Sequence, residues 1–304
     1  MSQLSITNKS ETYAVSAILF ASLLWGTTGT AASFAPTVSP LAIGAFSMGV
    51  GGLMLAILGA KNLRNDAKQL LKEGKLLCIG AIALAIYPLA FYSSMRLSGV
   101  AIGTVISIAS APFFVALIEC LFCKQNNIDR RWVLSLFIGS VGIVLLASSE
   151  TNLAQQTLDD ESKVIGILLG FVAGLAYALY SWAAKALINR GISSKSAMGS
   201  IFGIGAVLLV PILILNRNDL FATTINTLVV VYIAVIPMFV GYVCFGYGLN
   251  TIHASKATLL TLFEPAVAAV FAVVVVGESI SVLGWAGIVL IMLCLLLQSY
   301  KPKS

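Results

Sequence analysis

Ten long apolar stretches divide this chain, and they limit what it can fold into more than any other feature. A helix needs about 20 mostly apolar residues to cross the hydrocarbon core of a bilayer. None of the stretches shows the strict alternation that is typical of a membrane β-strand. The pattern predicts an all-α integral membrane protein with ten transmembrane helices, at Tyr13–Phe34, Pro40–Ala60, Leu76–Met95, Gly99–Phe122, Trp132–Ser148, Val164–Ile188, Ala197–Leu215, Leu228–Leu249, Lys256–Val276 and Val282–Leu297.

The composition excludes two other classes of protein. Hydrophobic residues make up 59% and charged residues 10% of the 304 residues, whereas a soluble domain carries roughly 25% charged residues. A soluble surface needs more charge than this, and a disordered chain needs the opposite balance. The first stretch, at 22 residues, is longer than the apolar region of a signal peptide, which has about 7–15, so we interpret it as an uncleaved helix.

The distribution of lysine and arginine predicts the orientation. An even number of spans places both chain ends on one side, and that side carries 15 of the 18 basic residues. Basic residues are retained on the cytoplasmic side, so we expect both termini to lie in the cytoplasm. The expected location is the inner membrane of the cell. The net charge of +6 then belongs to the membrane surface, and no nucleic-acid partner is expected. The loop Ser149–Lys163 should face outward.

Neither a metal nor a cofactor is expected. The five cysteines all lie in or beside predicted spans, which is typical of small apolar residues in a helix bundle. Cys120 and Cys123 form a CxxC pair, but the chain has one histidine and no second cysteine pair, so a zinc site is not indicated. The chain has no GxxxxGK[ST] phosphate loop, which argues against direct use of ATP.

The two halves of the chain resemble each other. A shift of 153 residues places Pro112 on Pro265 and Trp132 on Trp285, and a shift of 152 places Trp25 on Tyr177. The units predicted are 13–148 and 164–297, with five spans each. Because five is odd, the second unit enters the membrane from the other side. Such inverted repeats are typical of transporters that expose a midplane site first to one side and then to the other.

Four segments resemble a known family. They are SLLWGTTG at 22–29, LSGVAIGTVISIASAPFF at 97–114, GFVAGLAYALYSWAAKAL at 170–187 and IHASKATLLTLFEPAVAAVFAVVVVGESISVLGW at 252–285. Over about residues 13–298 the chain is similar to the EamA type of the drug/metabolite transporter superfamily. The resemblance implies secondary transport, often efflux of amino acids or similar metabolites from bacteria. The Gly277-Glu278 motif appears once, because the first unit has Lys124-Gln125 at that place.

Glu264 is the charge placed deepest in a predicted span. It follows Lys256 by eight residues, or about 12 Å along a helix, near the middle of a hydrocarbon core of about 30 Å. An intramembrane charge is expensive and marks a candidate site. Two interpretations stay open: a proton carrier that also binds a substrate amine, or a protonated structural residue. The equivalent position in the first unit is Ala111.

Pro112 and Pro265 fall in the middle of the fourth and ninth predicted spans. A proline inside a helix frees a backbone carbonyl group and kinks the helix. Freed carbonyls line cavities in the broken helices of transporters, although a simple packing kink is the alternative. We expect the two prolines to coincide when the repeats are superposed.

Aromatic and hydroxyl side chains occur at middle depth rather than at the membrane surface. A buried tyrosine or tryptophan needs a partner for its polar tip, so these residues are candidates to line a cavity for an amphipathic solute. Helix packing is the alternative for each of them, and hydroxyl groups also join helices. The candidates are Trp25, Thr28, Tyr87, Tyr177, Tyr180, Tyr242 and Thr261.

Other charges and glycines have simpler interpretations. Gly166, Gly170 and Gly174 form a GxxxGxxxG ridge that predicts close helix packing. Arg96 and Glu119 are expected to extend to the membrane surface. Lys185 and Lys256 lie near the cytoplasmic face, where a gating role is an open alternative.

These observations predict a secondary transporter and not an enzyme. It should move a small polar or amphipathic metabolite, amino acids first and with export favoured, by alternating access. The expected partners are that solute, the lipid bilayer and, if transport is coupled, protons; the chain is a monomer or homodimer. The alternatives are an uptake permease for a metabolite or vitamin and, more remotely, a channel or a membrane enzyme.

Overall fold

The computed structural model describes residues 2–98, 100–123, 129–148, 160–277 and 279–299, with backbone alone at residues 2–9, 100, 101, 123, 160 and 299. Glu278 of the predicted motif and its counterpart Lys124-Gln125 lie outside the described residues, as does most of the predicted outward loop. Within these residues the chain forms thirteen α-helices and two π-helical segments and contains no strand.

The first unit contains six helices and the second contains seven. In the first unit they are α1 Ser2–Ser33, α2 Pro40–Leu58, α3 Ala60–Lys72, α4 Gly74–Ser98, α5 Val100–Cys123 and α6 Arg130–Ser148. In the second they are α7 Asp160–Asn189, α8 Ser194–Asn216, α9 Thr224–Ile233, α10 Gly241–Thr251, α11 Ala254–Leu260, α12 Phe263–Phe271 and α13 Val282–Ser299.

All ten predicted spans are confirmed as helical segments. Nine helical stretches of the described chain are long and apolar enough to cross a bilayer, and Val282–Gln298 is a shorter apolar helix. The eighth span consists of α9, a π-helical segment at Ala234–Val240 and α10, and the ninth consists of α11, α12 and a π-helical segment at Ala272–Val276. The even number of spans places both chain ends on one side of the membrane, called the terminal side below.

The sequence did not predict α3, which joins the second and third spans on the terminal side. Lys61, Arg64, Lys68 and Lys72 make this helix too polar to cross a bilayer. Its Leu70 is buried against the bundle and Leu63 packs beside it, so α3 lies on the end of the bundle.

The packing of the spans repeats when the two five-helix units exchange places. The pair α4 and α7 corresponds to the pair α10 and α1, and the pair α5 and α7 corresponds to the pair α12 and α1; both members of each correspondence are in contact. Two further pairs, α2 with α8 and α6 with α13, each join equivalent spans across the repeat. The fold is therefore two inverted five-helix repeats, with α1 and α7 at its centre.

The two predicted proline kinks are not equivalent in the structure. Helix α5 continues through Pro112 without interruption. The ninth span, in contrast, breaks at Thr261 and Leu262, immediately before Pro265 in the first turn of α12. The second unit alone therefore carries a broken span at the place where a transporter site is expected.

Small residues allow the closest helix contacts. A Cβ atom on Gly166 would lie 2.6 Å from the backbone nitrogen of Ser98, and one on Gly174 would clash with the hydroxyl oxygen of Ser110 and lie 2.8 Å from the carbonyl oxygen of Ser107. The predicted glycine ridge of α7 thus meets α4 and α5 at backbone distance. A second such contact joins α6 to α13 at Gly142 and Gly287.

The contact between α6 and α13 yields a test of the fold. A Cβ atom on Gly287 would lie 2.5 Å from the carbonyl oxygen of Gly142 and 2.7 Å from the backbone nitrogen of Leu146. Gly287→Ala should therefore destabilise the protein by about 1–3 kcal/mol, the usual cost of overpacking, and lower its unfolding temperature in detergent. Gly29→Ala is the matched control, because nothing lies within 4 Å of its Cβ position. Equal unfolding temperatures for the two variants would contradict this helix pairing.

Candidate functional site

The predicted aromatic residues come together at one place between the central helices. The ring centroids of Trp25 and Tyr242 are 4.8 Å apart, and those of Tyr177 and Tyr180 are 5.2 Å apart. Tyr87 of α4 lies 5.7 Å from Tyr177 and 5.9 Å from Tyr180, again between ring centroids. These five rings, from α1, α4, α7 and α10, form what we call the aromatic cluster.

Two phenylalanines that the sequence analysis did not single out complete this packing. The ring of Phe202 on α8 lies 4.3 Å from that of Tyr242, and the ring of Phe245 on α10 lies 5.5 Å from that of Trp25. Phenylalanine has no polar tip, so its depth in a span does not distinguish it from ordinary core. Only the assembled helices show that both rings contact the cluster.

Four of the five aromatic residues in the cluster have internal partners for their polar tips. The indole nitrogen of Trp25 donates to the carbonyl oxygen of Pro237 at 2.9 Å, and the hydroxyl groups of Tyr180 and Tyr242 lie 2.9 Å apart. The Tyr177 hydroxyl group donates to that of Thr261 at 3.0 Å. These hydrogen bonds hold the rings in position. The polar groups of these four side chains are therefore already bonded to other groups of the protein.

Thr261 joins the aromatic cluster to the break in the ninth span. Its hydroxyl group accepts from Tyr177 and donates to the carbonyl oxygen of Thr258 at 2.8 Å. The backbone nitrogen of Glu264 donates to the carbonyl oxygen of Thr261 at 3.0 Å, a short turn in place of the regular helical bond. The broken span is thus fixed to α7 at the depth of the cluster.

Glu264 faces this cluster from the start of α12. Its carboxyl group is an electrostatic neighbour of the phenol groups of Tyr87, Tyr92, Tyr177 and Tyr242, which come from three other helices. The side chain therefore faces the interior of the bundle, where it is half-buried. In the described chain, neither a basic side chain nor a hydrogen-bond donor pairs with its carboxyl group.

Two hydroxyl groups near this region lack a partner. The Thr28 and Ser110 hydroxyl oxygens are buried and have no hydrogen bond within the described residues. Thr28 lies on α1, one turn beyond Trp25, and Ser110 lies on α5 against Gly174. Unpaired buried hydroxyls cost free energy, and the phenol group of Tyr87 likewise has no hydrogen bond to another described residue.

The bundle is tightly packed between the cluster and the terminal side. Several side chains between the cluster and that side have no exposed surface; they include Ile18, Ala183, Leu187, Leu249, Ala254 and Ala257. Beyond the cluster, toward the opposite side, Tyr92, Thr104, Ser110 and Glu264 are only half-buried. The structure therefore shows the site separated from the terminal side by closely packed side chains.

Charged residues strengthen this closed end. Lys185 of α7 is 7% exposed, and its ammonium group donates to the carbonyl oxygen of Leu249 at 2.7 Å, at the end of α10. A cation at the C-terminus of a helix is favourable because of the helix dipole. Lys256 forms an ion pair with Glu11 at 2.8 Å between nitrogen and oxygen, which ties the ninth span to α1.

The expectation that Glu119 extends to the membrane surface is wrong. Its side chain is 4% exposed, and one carboxyl oxygen accepts from the backbone nitrogen of Ser255 at 3.4 Å. The reason is that α5 packs against α11 at this end, so the carboxyl group meets the start of that helix before it reaches water. Trp132 donates to the carbonyl oxygen of the same Ser255 at 3.3 Å.

Two inverted five-helix repeats with irregular helices at middle depth are the architecture of many transporters. Residues 12–148 and 164–300 each match the family described as the EamA-like transporter family. The chain belongs to this family.

Curated relatives and a solved structure agree with this assignment. The chain is 32% identical to the uncharacterized transporter YwfM of Bacillus subtilis (strain 168), over 94% of each chain. It is 24% identical to an uncharacterized transporter of Clostridium kluyveri, over 80% of this chain and 78% of that one. A solved crystal structure with 18% identity superposes with a TM-score of 0.77, over 93% of this chain and 95% of the other; it supports the fold alone.

The hydrogen bonds of the cluster separate structural tyrosines from those that are free to bind a solute. Tyr180→Phe leaves the buried hydroxyl group of Tyr242 unpaired, which should cost about 1–3 kcal/mol of stability. Tyr87→Phe removes a hydroxyl group that bonds to no other described residue, so the unfolding temperature should stay near that of the parent. Thermal unfolding of both variants in detergent tests this, and a larger loss for Tyr87→Phe would overturn the distinction.

Proposed function

We propose that the protein exports a small amphipathic metabolite that carries an amine, with amino acids first, by alternating access. The observation that carries the proposal is the carboxyl group of Glu264, which lies at middle depth among aromatic rings and has no basic partner in the described chain. A site with one potential negative charge and several ring faces suits a cationic group attached to an apolar body.

The chemistry of recognition follows from these groups. An ammonium group gains a charge-assisted hydrogen bond from a carboxylate and an attraction to aromatic faces, the latter worth about 2 kcal/mol when water is excluded. Tyr87 and the unpaired hydroxyls of Thr28 and Ser110 supply further polar contacts. The remaining ring faces accept an apolar side chain.

Glu264 also offers a route to proton coupling. An ionised carboxylate at the centre of a membrane helix costs roughly 2.5–3.5 kcal/mol, so the empty site favours the neutral acid. An arriving ammonium group favours the carboxylate and so releases the proton. One proton is then exchanged for one ammonium group, so the charge of the site stays constant for a simple amine, and the carboxylate of an amino acid adds one negative charge.

Alternating access would use the inverted symmetry of the helices. The structure has the terminal side closed by Lys185 on α10, Glu119 on α11 and the ion pair of Lys256 with Glu11. In the exchanged state these contacts would separate, while α1 and α7 swap their packing environments. This accounts for the central position of α1 and α7, which are equivalent in the two units.

The substrate class is tested first by ligand binding. A ligand that binds the folded protein stabilises it by RT ln(1 + [L]/Kd), so amino acids, amines, nucleosides and vitamins at millimolar concentration should be compared by thermal shift. The proposal expects amines or amino acids to raise the unfolding temperature. Stabilisation by nucleosides or vitamins alone would contradict it.

Glu264→Gln tests the coupling mechanism. The variant should fold and insert like the parent but lose most of the transport driven by a pH gradient, because the amide cannot exchange a proton. The assay is flux of the identified substrate in proteoliposomes with imposed gradients of either sign, which also separates export from uptake. Glu161→Gln, at an exposed position on α7, is the matched control. Unchanged pH-driven flux in Glu264→Gln would make Glu264 a structural residue.

We also propose that the terminal side faces the cytoplasm, with the protein in the inner membrane. The support is the 15 of 18 lysines and arginines that fall on that side. A cysteine introduced at Asn152 should react with an impermeant reagent in intact cells, and one at Asn65, an exposed position on α3, should not. The parent chain with its five cysteines sets the background. The reverse labelling pattern would invert the orientation.

A further inference from the structure

The helix α3 carries three different faces, which are separated around its circumference. Lys61, Arg64, Lys68 and Lys72 follow one another at steps of three, four and four residues. At 100° per residue they fall within an arc of about 80°, a single basic stripe along the helix. All four side chains are exposed, and none of them pairs with an acidic side chain of the described chain.

An apolar edge runs beside the basic stripe. Ala60, Ala67 and Leu71 lie next to it on the helical wheel, and all three are exposed, Leu71 at 82%. Together the three residues form an exposed apolar strip within an arc of about 40°. A helix with an apolar edge beside a row of cations is typical of one that lies in the interface of a bilayer.

The third face of α3 is polar and joins the helix to the second unit. Asp66 accepts from the backbone nitrogen of Ser193 at 3.1 Å and from its hydroxyl group at 2.9 Å. Hydrogen bonds from the hydroxyl groups of Ser196 and Ser193 lower the pKa of Asp66 below its usual value. Gln69 bonds to the carbonyl oxygen of Arg190, and Glu73 pairs with the Arg190 guanidinium.

These contacts determine how α3 is rotated. Because Asp66, Gln69 and Glu73 point to the turn between α7 and α8, the basic stripe points away from the protein. A single residue, Gly59, separates the start of α3 from the end of α2 at Leu58, so α3 starts at the membrane surface. The cations are therefore held at the level where lipid headgroups lie.

We propose that α3 binds anionic phospholipid headgroups through Lys61, Arg64, Lys68 and Lys72. The four ammonium and guanidinium groups complement the phosphate groups of the leaflet on the terminal side, while Ala60, Ala67 and Leu71 enter the acyl boundary. Since the polar face of α3 holds the turn at Arg190 and Ser193, lipid binding stabilises the contact between the two repeats.

The test measures the unfolding temperature of the purified full chain in mixed micelles of detergent and lipid. Phosphatidylglycerol should raise the unfolding temperature, and phosphatidylcholine and inorganic phosphate should not. The rise should shrink in high salt, because charges at the surface are screened. The salt measurement needs no variant: a rise that is indifferent to salt, or one that phosphatidylcholine or free phosphate reproduces, overturns the proposal.

Substitutions locate the binding surface. Each basic residue at an anionic surface contributes about fivefold to affinity, so Arg64→Gln with Lys68→Gln should need about 25-fold more phosphatidylglycerol for the same rise. Arg130→Gln with Arg217→Gln removes the same charge at exposed positions outside α3 and should respond like the parent, as should Arg64→Lys with Lys68→Arg. The proposal is refuted if the variant with Arg64→Gln and Lys68→Gln responds to phosphatidylglycerol like the parent. It is also refuted if both charge-removing variants lose the response equally.

Discussion

Hydrocarbon offers no hydrogen-bond partner to a peptide group, so a chain that crosses it must satisfy its backbone within helices. Two irregular segments of the described spans are hydrogen-bonded to the aromatic cluster. The carbonyl group of Pro237, within the π-helical segment of the eighth span, accepts from Trp25. The break in the ninth span is fixed by Thr261 to Tyr177. The irregular segments of the eighth and ninth spans are therefore hydrogen-bonded to the aromatic cluster, and the geometry of the candidate site depends on these two bonds.

The same two spans make the inverted repeat asymmetric. The packing of the helices exchanges when the units exchange, but α5 passes through Pro112 unbroken, while the ninth span breaks before Pro265. Glu264 has Ala111 as its counterpart. A symmetric scaffold allows two equivalent closed ends, whereas a site with one carboxyl group binds and releases one proton. The proposed mechanism needs both the symmetric scaffold and the single carboxyl group. The scaffold is formed by the helices of both units, and the carboxyl group belongs to the second unit alone.

Charge organises the terminal side at two levels. Near the centre, Lys185 and Glu119 bind backbone groups at the end of α10 and the start of α11, on the two sides of the turn between these helices. At the periphery, α3 connects the first unit to the turn at Arg190 and Ser193 in the second. Glu119 and α3 both join the first repeat to the second, and both meet the second unit near a turn between helices, whereas the bond of Lys185 lies within the second unit.

The sequence by itself determined the ten spans, their inverted arrangement and the depth of Trp25, Tyr87 and Glu264, because a helix rises a constant 1.5 Å per residue and a bilayer has a known thickness. Only the tertiary structure decided which side chains meet. It paired Tyr180 with Tyr242, added Phe202 and Phe245 to the cluster, buried Glu119 against Ser255 and set the rotation of α3. These contacts join helices far apart in the chain, and the face that each helix turns to its neighbour follows from the packing of the whole bundle rather than from local periodicity.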